Sequence, residues 1–346
     1  MGDNRAKTLR ELAKRLDLSI TTVSRALAGH EQIALKTRQR VSLAAREHGY
    51  VPNGAARQLV SGRSGFVGLL MPIRGPNFVD SYLGEFITGL GEGLVSHGLD
   101  LFLATVQQGQ NELEVLRHVV ESGRADGMVV PRIAEQDPRL AYLAMQRFPS
   151  VSHGRLREQT PHNWLDSDGE AAFAEAFDLL YDHGHRHFGL VSISDRMTFR
   201  HYREAGLESA IERKGDPSVR LSVETFPRFD RLESVAAINR LLHRPDRPTA
   251  MIGLFDEIAI TILQQAVGAG IDVPKDLSVI GFDNITAGAY APPGLTTFDA
   301  KIRASARDLA HMLVRVIENP AAPPVSHLVK PDLVLRASHG PAPRMP

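Results

Sequence analysis

The sequence predicts two kinds of fold in one chain, a small all-α domain followed by an α/β body built from two doubly wound parallel sheets. Three short amphipathic stretches occupy the first 50 residues. From Phe66 onward, short apolar runs alternate with helical stretches, which is the pattern of repeated strand–helix–strand units. This alternation restarts after Ala171, so the body is expected to have two similar, interleaved lobes. A chain of 346 residues is long enough for this division.

Composition and charge exclude several classes of protein. Cysteine is absent, which excludes disulfides, cysteine-rich zinc sites and thiol catalysis. No apolar run reaches the roughly 18 residues that a membrane span needs, and the chain does not begin like a signal peptide, so we expect a cytoplasmic protein and no membrane partner. Residues 1–65 carry 12 Lys and Arg against 5 Asp and Glu, whereas the remainder carries 28 against 35. Only the N-terminal part therefore suits a polyanion such as nucleic acid.

The first two predicted helices are separated by a tight turn. Thr8 and Glu11 have the spacing of a capping box, so the first helix is expected to begin near Leu9. Ser19 can cap the second helix after a short interruption. The polar surface of that helix is expected to comprise Thr21, Thr22, Ser24 and Arg25. A third amphipathic stretch covers 36–47, with Gly49 as its stop.

In the body, the alternation predicts the order of strands and helices. Strands are expected at 66–71, 99–104, 127–130, 188–192, 221–225 and 250–254, and helices at 86–97, 113–122 and 202–213. Doubly wound sheets bind ligands beyond the carboxyl ends of their strands. The expected ligand site is therefore a cleft between the two lobes.

Ordered segments along the whole chain resemble the lactose-repressor (LacI/GalR) family. In the N-terminal part they are 8–13 (TLRELA), 18–27 (LSITTVSRAL), 36–38 (KTR), 49–53 (GYVPN) and 55–59 (AARQL). In the body they are 164–168 (WLDSD), 183–186 (HGHR), 203–206 (REAG), 279–284 (VIGFDN) and 293–297 (PGLTT). The resemblance implies a transcriptional repressor controlled by a small sugar. It implies a helix-turn-helix domain at 1–50, a hinge helix at 51–64, a periplasmic-binding-protein-like effector and dimerisation domain at 65–340, and a disordered tail at 341–346.

The same resemblance assigns DNA contacts to individual residues. It places Ile20, Thr21 and Arg25 against base edges in the major groove, and Thr8, Ser19 and Thr22 against phosphates. It also assigns DNA contacts to Asn53, Ala56 and Leu59. The Arg25 guanidinium can pair with guanine O6 and N7, which is worth roughly 1–3 kcal/mol of discrimination. The alternatives are that Arg25 is an ordinary solvated charge and that Ile20 packs locally.

Leu59 lies in a basic, polar segment that offers no core to bury it. By resemblance, Leu59 and its dimer mate wedge into the minor groove and kink the duplex. The alternative is a linker leucine that packs on the body. Gly54 lies inside this hinge and costs a helix roughly 1 kcal/mol relative to Ala. The hinge is therefore expected to be disordered without DNA.

For the effector, the resemblance assigns Arg203 as donor to ligand hydroxyls and Asp283 as acceptor. The other expected cleft residues are Tyr82, Asp168, Phe229 and Phe255. Three alternatives stay open at this point: Arg203 as an interlobe ion pair, Asp168 as a helix cap, and the aromatic side chains as ordinary core. The expected effector is a neutral mono- or disaccharide rather than a purine. Disaccharides are preferred because Phe255 and Trp164 offer more stacking surface than one ring requires.

Rival functions fit the sequence less well. His183, His185 and His187 have no spacing known for metal binding or catalysis and are expected to be solvated surface. The sequence has no phosphate-binding glycine loop or nucleophile elbow, so we expect no enzyme, cofactor or metal. A sugar-binding transport protein would share the body but would not need the basic N-terminus. We therefore expect a homodimer on a palindromic operator, since the residues after Ser338 are proline-rich and carry no tetramer-forming heptads. Whether the effector is an inducer or a corepressor stays open.

Overall fold

The computed structural model describes residues 8–27, 32–50, 62–72, 81–107, 109–158 and 160–343. The chain divides into two compact units, Met1–Ser64 and Gly65–Pro346. The predicted hinge contacts Asn53, Ala56 and Leu59 lie outside the described residues, as do residues 344–346.

The described part of the first unit forms three helices, α1 (Leu9–Leu16), α2 (Ile20–Leu27) and α3 (Leu35–Glu47). Both predicted caps are confirmed. The Thr8 hydroxyl accepts a hydrogen bond from the Glu11 amide at 3.2 Å, and the Ser19 hydroxyl accepts one from the Thr22 amide at 3.0 Å. Gly49 ends the third helix region with φ of +60°, as a left-handed residue after a helix does. The helices enclose a small core that includes Leu12, Val23 and Val41.

The second unit alternates strands and helices. Its strands are β1 (Phe66–Pro72), β2 (Asp100–Val106), β3 (Gly127–Pro131), β4 (Ser150–His153), β5 (Trp164–Ser167), β6 (His187–Ile193), β7 (Arg220–Phe226), β8 (Ala250–Gly253), β9 (Ser278–Ile280), β10 (Thr297–Asp299), β11 (Ser326–Val329) and β12 (Asp332–Val334). Its helices are α4 (Ser81–Val95), α5 (Glu112–Glu121), α6 (Pro138–Met145), α7 (Gly169–Asp182), α8 (Thr198–Lys214), α9 (Arg231–Leu242), α10 (Asp256–Gly268), α11 (Thr286–Tyr290) and α12 (Ile302–Glu318).

Two parallel sheets define two lobes. The first lobe has strand order β11-β5-β4-β3-β1-β2, and the second has β7-β6-β8-β9. Strands β10 and β12 pair antiparallel beside the second sheet. The chain passes between the lobes after β5, after β10 and after β11, which makes the lobes interleaved. The predicted pair of parallel sheets is confirmed.

The first lobe is held together by a close contact between α4 and α12. An added Cβ at Gly89 would lie 2.1 Å from the carbonyl oxygen of Arg303, and one at Gly93 would lie 2.7 Å from that of Arg307. Only glycine therefore allows the two helix backbones to approach so closely. This contact fixes α12, the helix by which the chain returns to the first lobe.

His185 is buried, so the expectation of a solvated histidine is wrong for this residue. Its Nε2 lies 3.1 Å from the carbonyl oxygen of Gly340, which can only accept, so Nε2 carries the proton. Its Nδ1 then accepts a hydrogen bond from the Thr249 hydroxyl at 2.9 Å. Burial lowers the pKa of His185 to about 4. Nearby, the Ala342 amide donates to the carbonyl of His183 at 2.8 Å, so this residue of the tail expected to be disordered (341–346) lies against the second lobe.

Candidate functional site

Helix α2 presents an exposed face at its N-terminal end. Ile20, Thr21 and Arg25 are exposed, and Ile20 keeps 47% of its surface in solvent. Thr21 and Arg25 are four residues apart and so share one side of the helix. Thr22 is half-buried, and its hydroxyl lies 2.8 Å from that of Ser19. Thr8, at the start of α1, is also exposed. This α2 face offers a fork of guanidinium donors beside an apolar group, which suits the edges of bases in a major groove.

A cavity of about 270 Å³ opens between the two lobes at the carboxyl ends of their strands, where the sequence predicted it. The first lobe lines it with Tyr82, Arg132, Ile133, His153, Gly154, Asp166 and Ser167. The second lobe lines it with Thr198, Phe199, Tyr202, Arg203, Arg228, Phe229, Phe255, Phe282 and Asp283, among others. Five of the six predicted effector residues thus meet in one cavity: Tyr82, Arg203, Phe229, Phe255 and Asp283.

Arg203, on α8, is a buried cation facing this cavity. Its Nη1 donates to the carbonyl of Leu254 at 2.6 Å, and its Nη2 lies 3.7 Å from Asp283 Oδ1. The guanidinium carbon lies 3.8 Å from the centre of the Phe282 ring. Burial lowers the pKa of Arg203 from its ordinary value, and the Asp283 carboxylate opposes that shift. The group stays charged, and the ion pair is formed within the second lobe rather than between lobes.

Asp283 is held in an uncommon backbone conformation, with φ of +114°. Its amide donates to the carbonyl of Phe298 at 2.9 Å, which fixes the loop after β9. A non-glycine residue in this region costs of order 1–3 kcal/mol and persists where the surrounding structure imposes it. Here the strained loop places a carboxylate at the cavity wall beside Arg203.

Asp168 and Trp164 do not line the cavity. Asp168 Oδ1 accepts a hydrogen bond from the Ala171 amide at 3.1 Å, so it caps α7, which is the alternative left open by the sequence. Trp164 is the first residue of β5, whereas the cavity lies at the last residues of the parallel strands. It faces a separate surface pocket and cannot contribute the stacking expected of it.

Asp166, missed by the sequence analysis, takes the place expected for Asp168. It is buried in β5, and burial raises the pKa of its carboxyl to about 6, against the opposing effect of Arg155. Arg155 Nε lies 3.6 Å from Asp166 Oδ2. An acid that directly follows the apolar residues Trp164 and Leu165 in a short strand was the signal that could have identified it.

His153 was also missed. Its Nδ1 lies 2.7 Å from the hydroxyl of Tyr82. Burial, with smaller contributions from the positive charges of Arg203 and Arg132, lowers the pKa of His153 to about 4. The ring is therefore neutral at pH 7, and the first lobe supplies the cavity with an uncharged polar group.

Comparison with known proteins identifies both units. Residues 8–53 match the model of bacterial regulatory proteins of the lacI family, and residues 177–339 match that of a periplasmic binding protein-like domain. The HTH-type transcriptional regulator AglR of Rhizobium meliloti (strain 1021) is 33% identical over 344 residues, which cover 97% of this chain and 95% of AglR. The chain belongs to the LacI family.

Other LacI-family proteins are similar to this chain over nearly its whole length. The HTH-type transcriptional repressor CytR of Escherichia coli (strain K12) is 27% identical, with 96% of each chain covered. The solved structure of the complex of transcriptional regulator CelR with cellobiose has a TM-score of 0.71 at 25% identity, and covers 96% of this chain and 100% of that one. The predicted fold is thereby confirmed. This LacI-family chain is a DNA-binding transcriptional regulator and not an enzyme.

Two further observations concern membranes and metals. Among the described residues, no helix is both long and apolar enough to cross a membrane. In the same part of the chain, no group of three or more His, Asp or Glu side chains is placed to hold a metal ion.

Proposed function

We propose that this regulator represses a carbohydrate-utilisation operon and is controlled by a neutral mono- or disaccharide bound between its lobes. The observation that carries the proposal is the cavity itself, which combines the Arg203 cation and the Asp283 carboxylate with aromatic rings. Charged donors and acceptors make strong hydrogen bonds to hydroxyls, while a sugar's C–H face packs on rings such as Phe229 and Phe255. CelR, a relative by structure, is solved with cellobiose.

A second observation supports a disaccharide. A neighbouring cavity of about 260 Å³ shares Arg132, Arg228 and Phe229 with the first. The two cavities therefore adjoin at these three side chains, and we propose that a second ring occupies the neighbouring one. This neighbouring cavity replaces the stacking on Trp164 as the reason to prefer two rings.

On the DNA side, we infer that Ile20, Thr21 and Arg25 read bases and that Thr8, Ser19 and Thr22 contact phosphates of a palindromic operator. A homodimer would place two copies of α2 in successive major grooves, since half-sites of helix-turn-helix dimers lie about one helical turn apart. The contacts assigned to Asn53, Ala56 and Leu59 remain predictions. A protein that binds chromosomal DNA of a bacterium acts in the cytoplasm, and we assign the regulator to that compartment.

We further propose that effector binding is coupled to operator binding through the angle between the two lobes. Effector bound to residues of both lobes favours one angle between them, and that angle sets the geometry of the segment that leads to the DNA-binding domain. A ligand shifts such an equilibrium only by its differential affinity for the two states. Whether the effector weakens or strengthens operator binding depends on which of the two lobe arrangements binds the effector more tightly.

The test is a thermal-shift and calorimetry panel on the full-length protein, with glucose, maltose, trehalose, sucrose, adenine and adenosine as probes. A sugar at 100 times its Kd adds about 2.7 kcal/mol to the free energy of unfolding. At least one sugar is expected to bind at millimolar concentration or below, and the purines are not. Binding of a purine, or of none of these sugars, would overturn the effector class and leave DNA binding in place.

A further inference from the structure

We propose that His153 recognises one oxygen of the effector through its Nε2 atom, as the first lobe's counterpart to Arg203. This inference rests on the proposed sugar effector. The observation behind it is that Nε2 is buried and has no hydrogen-bond partner among the described residues, on a residue that lines the cavity. Buried polar atoms are nearly always paired, so an unpaired one calls for an explanation. Because His153 lines the cavity, we assign the missing partner to the bound effector.

The surroundings of His153 hold its ring in one orientation. The ring packs against Phe86, with their centres 5.1 Å apart, and against Tyr82, with centres 5.8 Å apart. The Tyr82 hydroxyl holds the opposite nitrogen, Nδ1, at 2.7 Å. A side chain positioned by packing and by a second hydrogen bond is preorganised to bind ligand without further ordering.

The chemistry of this pair specifies what Nε2 can bind. A neutral imidazole has one N–H and one acceptor nitrogen. A phenol is a better hydrogen-bond donor than acceptor, so Tyr82 donates to Nδ1 and the proton of the imidazole lies on Nε2. His153 then offers an uncharged donor to the cavity. An uncharged donor suits a sugar hydroxyl or ring oxygen, whereas Arg203 in the opposite lobe offers a charged one.

A bond from each lobe has a consequence for regulation. Arg203 belongs to the second lobe and His153 to the first, so an effector that contacts both bridges the cleft. Loss of the His153 bond is therefore expected to weaken effector binding and also to lower the effect of bound sugar on operator affinity.

Two variants separate the two nitrogens of the ring. His153→Asn keeps an amide near the position of Nδ1, within reach of Tyr82, and has no atom at the position of Nε2. His153→Gln reaches the position of Nε2 and keeps an N–H donor there. Each full-length variant is titrated by calorimetry with the sugar that binds wild type in the panel above, and with its monodeoxy derivatives.

The expected result is that His153→Asn lowers sugar affinity about 5- to 100-fold, as the loss of one partner of a buried hydrogen bond does, and that His153→Gln restores most of it. One monodeoxy sugar is expected to lose affinity for wild type but not for His153→Asn. Equal affinity of wild type and both variants overturns the inference while the sugar effector stands. If no sugar in the panel binds wild type, both the effector class and this inference fail.

A spectroscopic measurement covers the case in which both variants unfold. In wild-type protein labelled with ¹⁵N-histidine, the His153 Nε2 resonance is expected to have the shift of a protonated ring nitrogen and to move when sugar is added. A resonance with the shift of an unprotonated nitrogen, or one that is unchanged at saturating sugar, contradicts the inference.

Discussion

Replacing Arg203 tests the effector site at its most defined group. Arg203→Ala removes a guanidinium that faces the cavity while holding Leu254 and lying over Phe282. A hydrogen bond from a charged donor to a hydroxyl contributes about 1.5–3 kcal/mol. Effector affinity is therefore expected to fall about 10- to 150-fold. Operator affinity of the ligand-free protein is expected to change little, because Arg203 lies in the body and not on the α2 face that we propose contacts DNA.

The substitution also has a structural cost. Asp283, 3.7 Å from the guanidinium, would lose its cation, and an uncompensated carboxylate beside a cavity destabilises the fold. Arg203→Lys avoids this because it retains the charge. It is still expected to lose most of the effector affinity, since an ammonium cannot reproduce the planar fork of guanidinium donors.

A matched control lies on the same helix. Arg200, three residues earlier, pairs with Glu204 at 2.8 Å and does not line the cavity. Arg200→Ala is expected to leave effector affinity unchanged. Calorimetry measures the effector, and fluorescence anisotropy on a labelled duplex measures the operator. Wild-type effector affinity in both Arg203 variants, or an equal loss in Arg200→Ala, would refute the assignment.

Three further predictions use other parts of the chain. Arg25→Ala is expected to cost about 1–3 kcal/mol of the preference for operator over scrambled duplex, whereas Thr22→Ala is expected to weaken binding to both duplexes equally. The affinities are measured by anisotropy. An equal loss of affinity for both duplexes in Arg25→Ala contradicts the base contact. The pKa of His185 is lowered to about 4 from 6.5, so the stability it contributes is present above pH 6.5 and is lost as pH falls towards 4. Between pH 7 and pH 5, the free energy of unfolding measured in urea is expected to fall by about 2 kcal/mol more for wild type than for His185→Asn. Parallel pH profiles of the two proteins would contradict this expectation. Gly89→Ala is expected to destabilise by about 2 kcal/mol or more, because its Cβ would meet a backbone oxygen of the facing helix at 2.1 Å. A Cβ added at Gly91 would have no atom within 4 Å, so Gly91→Ala is expected to stabilise α4 by up to about 1 kcal/mol. Similar melting temperatures for the Gly89 and Gly91 variants would refute the importance of close helix packing at Gly89.

Local chemistry made the starts of the first two helices and the order of elements along the chain predictable. Thr8 and Ser19 cap their helices through neighbours three residues away, and such bonds need no tertiary contact. The alternation of apolar runs and helical stretches likewise depends on periods within single elements. The position of the cavity followed from a general property of parallel sheets.

Side-chain placement inside the cavity was less predictable because it depends on tertiary register. Asp166 and Asp168 lie two residues apart, yet one is buried at the cavity and the other caps α7, since the chain leaves β5 between them. His185 is buried only because Thr249, Ser278 and Gly340, all distant in sequence, meet around it. A local sequence pattern does not indicate which distant residues contact one another in the fold.

One sugar bound between the lobes is expected to change operator affinity at a distance. The measurement is operator affinity of the full-length wild-type protein, by anisotropy, with and without saturating sugar, on a duplex selected from a random-sequence library. Coupling free energies between sites are about 1–3 kcal/mol, so operator affinity is expected to change about 5- to 150-fold in wild type. The same sugar concentration is expected to leave the operator affinity of the Arg203→Lys variant unchanged. Sugar that saturates the wild-type protein without altering its operator affinity would contradict coupling between the cavity and the DNA-binding domain.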